Sequence, residues 1–143
     1  MPERDPLTSQ ILGAAFKVAN ALGPGFLEKV YENALAHELG KSALDVQRQH
    51  GLDVYYDGIS VGHFVVDLIV ERNVLVELKA CKGLEDIHIA QCLNYLTATK
   101  METCLLINFG KPKIEIRRLM MSGKVLGQLE ANEELISASD GQR

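Results

Sequence analysis

Two acids and a lysine in the middle of the chain are spaced so that they could do chemistry. Asp67 interrupts the apolar run Phe64-Val65-Val66-Asp67-Leu68-Ile69-Val70, and Glu77 and Lys79 interrupt Val74-Leu75-Val76-Glu77-Leu78-Lys79-Ala80. In extended chain, alternation puts Asp67 on a face with Val65 and Ile69. It puts Glu77 and Lys79 with Leu75, and leaves Val74, Val76, Leu78 and Ala80 as a wholly apolar face. If Glu71-Arg72-Asn73 is the loop of a hairpin, Val70 pairs with Val74 and Asp67 stands opposite Glu77. Facing carboxylates repel, and a divalent cation or a shared proton relieves the conflict. Carboxylate and carbonyl oxygens suit Mg²⁺ or Mn²⁺, with the Leu78 carbonyl as a third protein donor. Lys79 on the same face could orient or help deprotonate a water, or stabilise developing negative charge. A lone Glu-x-Lys is far more often a surface ion pair; the opposed acid in an apolar run sets this one apart.

Further polar residues accompany this set. Gln91 and Tyr95 are one helical turn apart, with His88 a turn before Gln91. They form either a solvated flank or a wall of the same cleft. On a helical wheel with Leu27 at 0°, Glu28 falls at about 100°, between Leu35 and Leu39. Glu32, at about 140°, marks the edge of that arc, and Glu38, at about 20°, lies inside it in a last turn open to fraying. Glu28 is either an acid favoured at a helix N-terminus or a group that meets a charge on the packed side.

The elements that must carry these residues can be read from periodicity. Residues 7–21 have apolar positions at helical spacing and end at Gly23-Pro24-Gly25. A second helix is expected from about Phe26 to Leu39, with Gly40 as its stop. Val46–Tyr56, Ser60–Val70 and Val74–Ala80 read as strands, turning at Asp57-Gly58 and at 71–73. Asp86–Thr99 reads as a third helix, and Thr103–Asn108 and Lys113–Leu119 as two further strands. The order α-α-β-β-β-α-β-β implies an α/β domain with a central mixed β-sheet flanked by helices. One domain over 1–143 is expected, with a core at about 7–119 and a C-terminal extension at 120–143, partly frayed beyond Ser137.

Composition narrows the classes. The hydrophobic fraction of 47% is that of a globular chain. No apolar run approaches the roughly 20 residues of a membrane span, and Met1–Pro6 is too polar for a secretory signal. Cys81, Cys92 and Cys104 lack the close pairing of a zinc or redox motif, and Cys92 and Cys104 sit in apolar runs. A reducing, cytoplasmic setting is expected. A net charge of −4 argues against coating nucleic acid by bulk charge, yet residues 1–71 carry −5, residues 72–124 carry +4 and residues 125–143 carry −3. The positive middle either reflects ordinary solvated faces or faces an anion.

The chain resembles a known family on these residues. Gly25-Phe26-Leu27-Glu28-Lys29-Val30-Tyr31 is similar to the signature of the GxxExxY proteins, small members of the PD-(D/E)-x-K nuclease superfamily. Asp67 with Glu77-Leu78-Lys79 resembles the superfamily's metal motif, although Val66 stands where the eponymous proline would be. Gln91-Cys92-Leu93-Asn94-Tyr95 resembles a Q-x-x-x-Y motif of one nuclease branch. The resemblance spans residue 7 to about 119. It implies a restriction-endonuclease-like core and metal-dependent phosphodiester hydrolysis. Asp67, Glu77 and the Leu78 carbonyl are the implied metal donors, with Lys79, Glu28 and Gln91 catalytic. Glu28 is also expected to help hold the ion. Tyr95, Lys82 and Tyr31 are the implied substrate contacts. Nucleic acid, DNA before RNA, is the implied partner, and a homodimer would help so small a chain find its target. The alternative is a module with the same fold that binds nucleic acid or protein without cutting.

Overall fold

Asp5 opens the first helix by accepting the Thr8 N–H at 3.2 Å, and Pro6 takes the first helical position. The computed structural model describes residues 5–121 together with Val125 and Leu126. Helix α1 (Pro6–Leu22) ends where Gly23 adopts φ 71°. Helix α2 (Glu28–Lys41) starts two residues later than periodicity suggests and runs through Gly40 to Lys41. The chain leaves it through Ala43 at φ 62°. Strands β1 (Val46–Tyr56) and β2 (Ile59–Val70) are joined by Asp57 and Gly58, both at positive φ as a tight hairpin turn requires. Strand β3 (Val74–Lys79), helix α3 (Asp86–Thr99) and strands β4 (Thr103–Asn108), β5 (Glu115–Met120) and β6 (Val125–Leu126) follow.

The sheet order is β1-β2-β3-β4-β5-β6. All neighbours are antiparallel except β3 and β4, which run parallel with α3 as their crossover. The expected element order holds, and β6 adds a two-residue strand inside the C-terminal extension. The fraying expected beyond Ser137 lies outside the described residues.

Helices α1 and α2 cover one face of the sheet. Ile11, Leu12, Ala15, Tyr31, Leu35 and Leu39 pack there on Leu68, Val70, Val74, Val76, Leu78, Leu105 and Ile107. Helix α3 covers the other, with Cys92, Tyr95 and Leu96 on Val66, Ile69, Leu75, Cys104 and Leu106. Strands β3 and β4 are thus buried on both faces, which is why they read as continuous apolar runs. Cys81, Cys92 and Cys104 are all free thiols.

Alternation along β2 does not survive Asp67. Phe64 and Val66 pack beneath α3, whereas Leu68 and Val70 pack beneath α1 and α2. Val65, expected on Asp67's face, is instead 41% exposed. Gln49, skipped in the register between the Arg48–Leu68 and His50–Val66 pairs, has φ 49° and reaches Asp67 with its side chain. Both strands turn over at this point, and Asp67 sits at the switch.

Two buried polar side chains fix the loops beside the site. Asn108 bonds both the N–H and the carbonyl of Cys81 at 3.0 Å, accepts the Gly110 N–H at 2.9 Å and donates to Glu115 at 2.9 Å. Glu115 in turn accepts the Leu84 N–H at 3.0 Å. A Cβ on Gly110 would stand 2.3 Å from the Cys81 carbonyl oxygen, so only glycine allows this approach. Tyr31, fully buried, stacks on Phe109 at 4.7 Å, donates to the Gly23 carbonyl at 2.5 Å and accepts the Phe26 N–H at 3.1 Å. Tyr31→Phe leaves both loop groups unpaired. It should cost about 1 to 3 kcal/mol in urea denaturation; no measurable change would show that the 23–27 loop is held by other contacts.

Candidate functional site

Strands β2 and β3 pair at Val70–Val74, Ile69–Leu75 and Leu68–Val76. At the next position, Asp67 and Glu77, side chains take over from the backbone ladder. Glu77 Oε1 accepts the Asp67 N–H at 2.8 Å, and Asp67 Oδ2 accepts the Leu78 N–H at 2.8 Å. The two acids do stand across from one another. Each is anchored on the opposite strand's backbone, which offsets part of the expected repulsion.

Burial and mutual charge act on this pair against the N–H bonds. Glu77 is 5% exposed. Burial, and then the Asp67 charge, push its carboxyl up to about 8, against the Asp67 N–H and Lys79. Burial likewise raises Asp67, while the Leu78 N–H and the Gln49 amide pull it back. Burial and the Asp67 charge raise Glu28, and Lys79 opposes them. Glu28, Asp67, Glu77 and Lys79 thus act on one another through their charges.

Glu28 arrives there by a different packing from the one expected. Helix α2 begins at Glu28, so Leu27 caps it from outside and is 80% exposed. The true stripe is Glu28, Tyr31, Glu32, Leu35 and Leu39. Its buried acid is Glu32, at 3% exposure, while Glu28 overhangs at the exposed end. Glu38 is not left to fray: Lys17 of α1 and Lys41 hold it at 3.1 and 3.0 Å.

Glu32 organises a network that sequence reasoning largely missed. It accepts from Lys29 at 3.2 Å, from Arg48 at 3.1 and 3.2 Å and from Gln49 at 2.7 Å. Gln49 also donates to Asp67 Oδ1 at 3.3 Å. Asn33 receives a further bond from Arg48. A chain of bonds thus runs from α2 through β1 to Asp67. The signal available was an acid one turn after Glu28 on the apolar stripe; nothing local pointed to Arg48 or Gln49.

Other expected site residues divide. Tyr95 is 6% exposed and stacks on Phe64 at 4.4 Å. Burial raises its phenol well above the ordinary value, helped by the charges of Glu77 and Asp67, so it belongs beside the acids. Gln91 is exposed and, with Tyr95, lines a groove between α3 and the β1–β2 hairpin rather than the acid pair itself. His88 does not join that wall, because its Nδ1 accepts the Glu85 N–H at 2.9 Å and caps α3. Tyr31 cannot contact a substrate: it is fully buried, with its hydroxyl spent on the 23–26 loop. Lys82 is exposed on the loop after β3.

The donors that could hold a metal are Asp67, Glu77 and a backbone carbonyl. The Leu78 N–H points toward Asp67, and the carbonyl of a strand residue shares the side of its N–H. The Leu78 carbonyl therefore faces the gap where β2 leaves the ladder. Among the described residues no three His, Cys, Asp or Glu side chains form a metal cluster, so Glu28 does not join the pair as the third side-chain ligand expected. Two carboxylates and a carbonyl suit a hard cation that keeps several waters.

A family model of the PD-(D/E)XK nuclease superfamily matches residues 5–119, and the chain belongs to that superfamily. Its helix-flanked mixed sheet is accordingly a restriction-endonuclease-like α/β core. No curated protein and no solved structure matches the chain significantly. Among the described residues no helix is long and apolar enough to cross a membrane.

The site makes stability depend on pH. In the folded chain Glu77 keeps its proton up to about pH 8, against 4.5 for an ordinary glutamate. The folded state binds more protons across that window, so stability in divalent-free buffer falls as pH rises through it. Glu77→Gln, neutral throughout, should flatten this slope in urea titrations with EDTA at several pH values. An equally steep fall in the variant would assign the slope to other groups.

Proposed function

We propose that the chain is a divalent-metal-dependent nuclease that hydrolyses phosphodiester bonds in nucleic acid, with DNA as the expected substrate. The observation that carries this reading is the reciprocal clasp of Asp67 and Glu77, with Lys79 two residues past Glu77 on the same strand. Superfamily membership supports nuclease chemistry in general.

Asp67, Glu77 and the Leu78 carbonyl would hold Mg²⁺ or Mn²⁺. Such an ion, when bound, neutralises charge on a phosphoryl oxygen and eases deprotonation of water. Lys79 holds the water or a non-bridging oxygen of the phosphate by its ammonium protons. Glu28, raised above the usual carboxylate range, is placed to accept a proton from that water. The water oxygen bonds to phosphorus, the bond to the leaving oxygen breaks, and the leaving oxygen takes up a proton. Lys82, Lys100, Lys113 and Arg118 lie in the positive middle segment that would meet the phosphate backbone.

The narrower GxxExxY grouping also has physical support. Gly25 stands at φ 116°, a conformation side chains resist, Glu28 feels the charges of Asp67 and Lys79, and Tyr31 pins the loop that precedes it. The signature then serves to place one carboxylate.

A panel of labelled single- and double-stranded DNA and RNA, with Mg²⁺, Mn²⁺ or EDTA, tests the reading. Lys79→Ala and Asp67→Asn should each lower divalent-dependent cleavage by about 100-fold or more. In the second variant the amide oxygen of the new side chain can still accept the Leu78 N–H, so circular dichroism should be unchanged. Wild-type rates in both variants would remove the assignment.

A further inference from the structure

The groove between α3 and the β1–β2 hairpin has a volume of about 690 Å³ and is not used by the clasp. Its walls include Tyr55, Phe64, Gln91, Asn94, Tyr95 and Lys100. We propose that this groove is a subsite for an unpaired nucleotide, so that the substrate is a nucleic acid with a single-stranded stretch. The inference deepens the nuclease reading and rests on it.

Three observations carry it. The first is the chemistry of the walls. Phe64 and Tyr95 form a stacked aromatic pair at one side, and Tyr55, 66% exposed, offers a ring at the other. Aromatic rings stack on any base, the amides of Gln91 and Asn94 can both donate to and accept from a base edge, and Lys100 suits a phosphate. Asp53, the acid on the rim, is already engaged by His63 at 3.1 Å and Ser60 at 3.4 Å.

The second observation is a bulge. The β1–β2 register shifts between Val54 and Tyr55. Consecutive strand residues normally point to opposite faces, yet Asp53, Val54 and Tyr55 all line the groove. The extra residue is Val61 of β2, skipped between the Val54–Gly62 and Tyr55–Ser60 pairs, and such irregularities bend and twist the strands beside working sites.

The third is position and size. Phe64 lies three residues before Asp67 on β2, at most about 10 Å along the strand. Tyr95 spans the two regions, lining the groove while its phenol feels the charges of Glu77 and Asp67. A space of this volume holds a small-molecule-sized ligand, hence a nucleotide or two. A duplex keeps its bases stacked on each other and offers no free face to Tyr55 or Phe64.

The test is fluorescence anisotropy at low salt in EDTA, so that binding is read without cleavage. The probes are a fluorescein-labelled twelve-nucleotide oligo-dT, the matching oligo-U and a twelve-base-pair blunt DNA duplex. At least one single strand should bind tenfold or more tighter than the duplex, and the dT and U arms identify the sugar preferred. Tyr55→Ala, at an exposed position, should weaken single-strand binding about 5- to 150-fold, the range carried by one base–aromatic stack. Lys100→Ala should weaken it and reduce the salt dependence by about one counterion. Equal or tighter duplex binding overturns the proposal, as does unchanged affinity in Tyr55→Ala. Loss of self-association in that variant, read by sedimentation, also overturns it by giving the groove to a second copy of the chain. If cleavage depends on Asp67 and divalent ions but ignores Tyr55→Ala, the nuclease reading stands and the groove proposal falls alone. If no probe binds and none is cut, both fall.

Discussion

The two bonds by which Glu77 accepts the Asp67 N–H and Asp67 accepts the Leu78 N–H are the constraint around which the rest of the molecule is arranged. Beyond Leu68 and Val76 the ladder between β2 and β3 stops, and the carboxylates hold the strands at the point where they part. Such hydrogen bonds contribute about 0.5 to 3 kcal/mol each, the upper part of the range only where the acceptor is charged, and burying the acids opposes that gain. The site thus costs stability through desolvation and returns part of it through sheet closure. Removing either acid would orphan an N–H on the facing strand.

The surrounding structure manages the excess of negative charge. Glu32 brings a further buried carboxylate near the pair, but it is paired by Arg48 and Lys29 and tied to Asp67 only through the neutral Gln49 amide. On the opposite side, Glu115 would be raised by burial, yet the Asn108 amide, the Leu84 N–H and Lys111 hold it below the ordinary range. That carboxylate fixes the loop between β3 and α3, and with it the exit of the strand that carries Lys79. Glu28, Asp67 and Glu77 are left raised above the ordinary carboxylate range, while Glu32 and Glu115 are held by their partners.

What the sequence revealed follows from how local the causes are. Strands β3 and β4 and helix α3 were legible because double-sided burial gives unbroken apolar runs and a helix face gives a stripe. The opposition of Asp67 and Glu77 was legible because a three-residue turn sets the register. Long-range partners were not. Asn108 acts on a residue 27 positions away and Gln49 on one 18 away, and neither has a local pattern. Tyr31 was misread as a substrate contact because the motif it shares with Glu28 reads as a single unit; its own ring is a strut. The face of Val65 was misread because strict alternation cannot foresee a left-handed residue on the facing strand.

The turnover at Asp67 also divides the β1–β2 hairpin into two parts under different rules. Inside it, registry is locked by β3 and by the helices on both faces. Outside it, Leu52 and Phe64 of the arm pack on the apolar cluster beneath α3. Changes of length at the Asp57-Gly58 tip can therefore be absorbed in matched pairs, one residue on each strand, without disturbing the acids. A single inserted residue at the tip would be taken up as a longer turn or a second bulge, because Phe64 keeps its spacing from Asp67. Divergent relatives could then vary the reach of this arm in steps of two residues while the Asp67–Glu77 pair stays fixed.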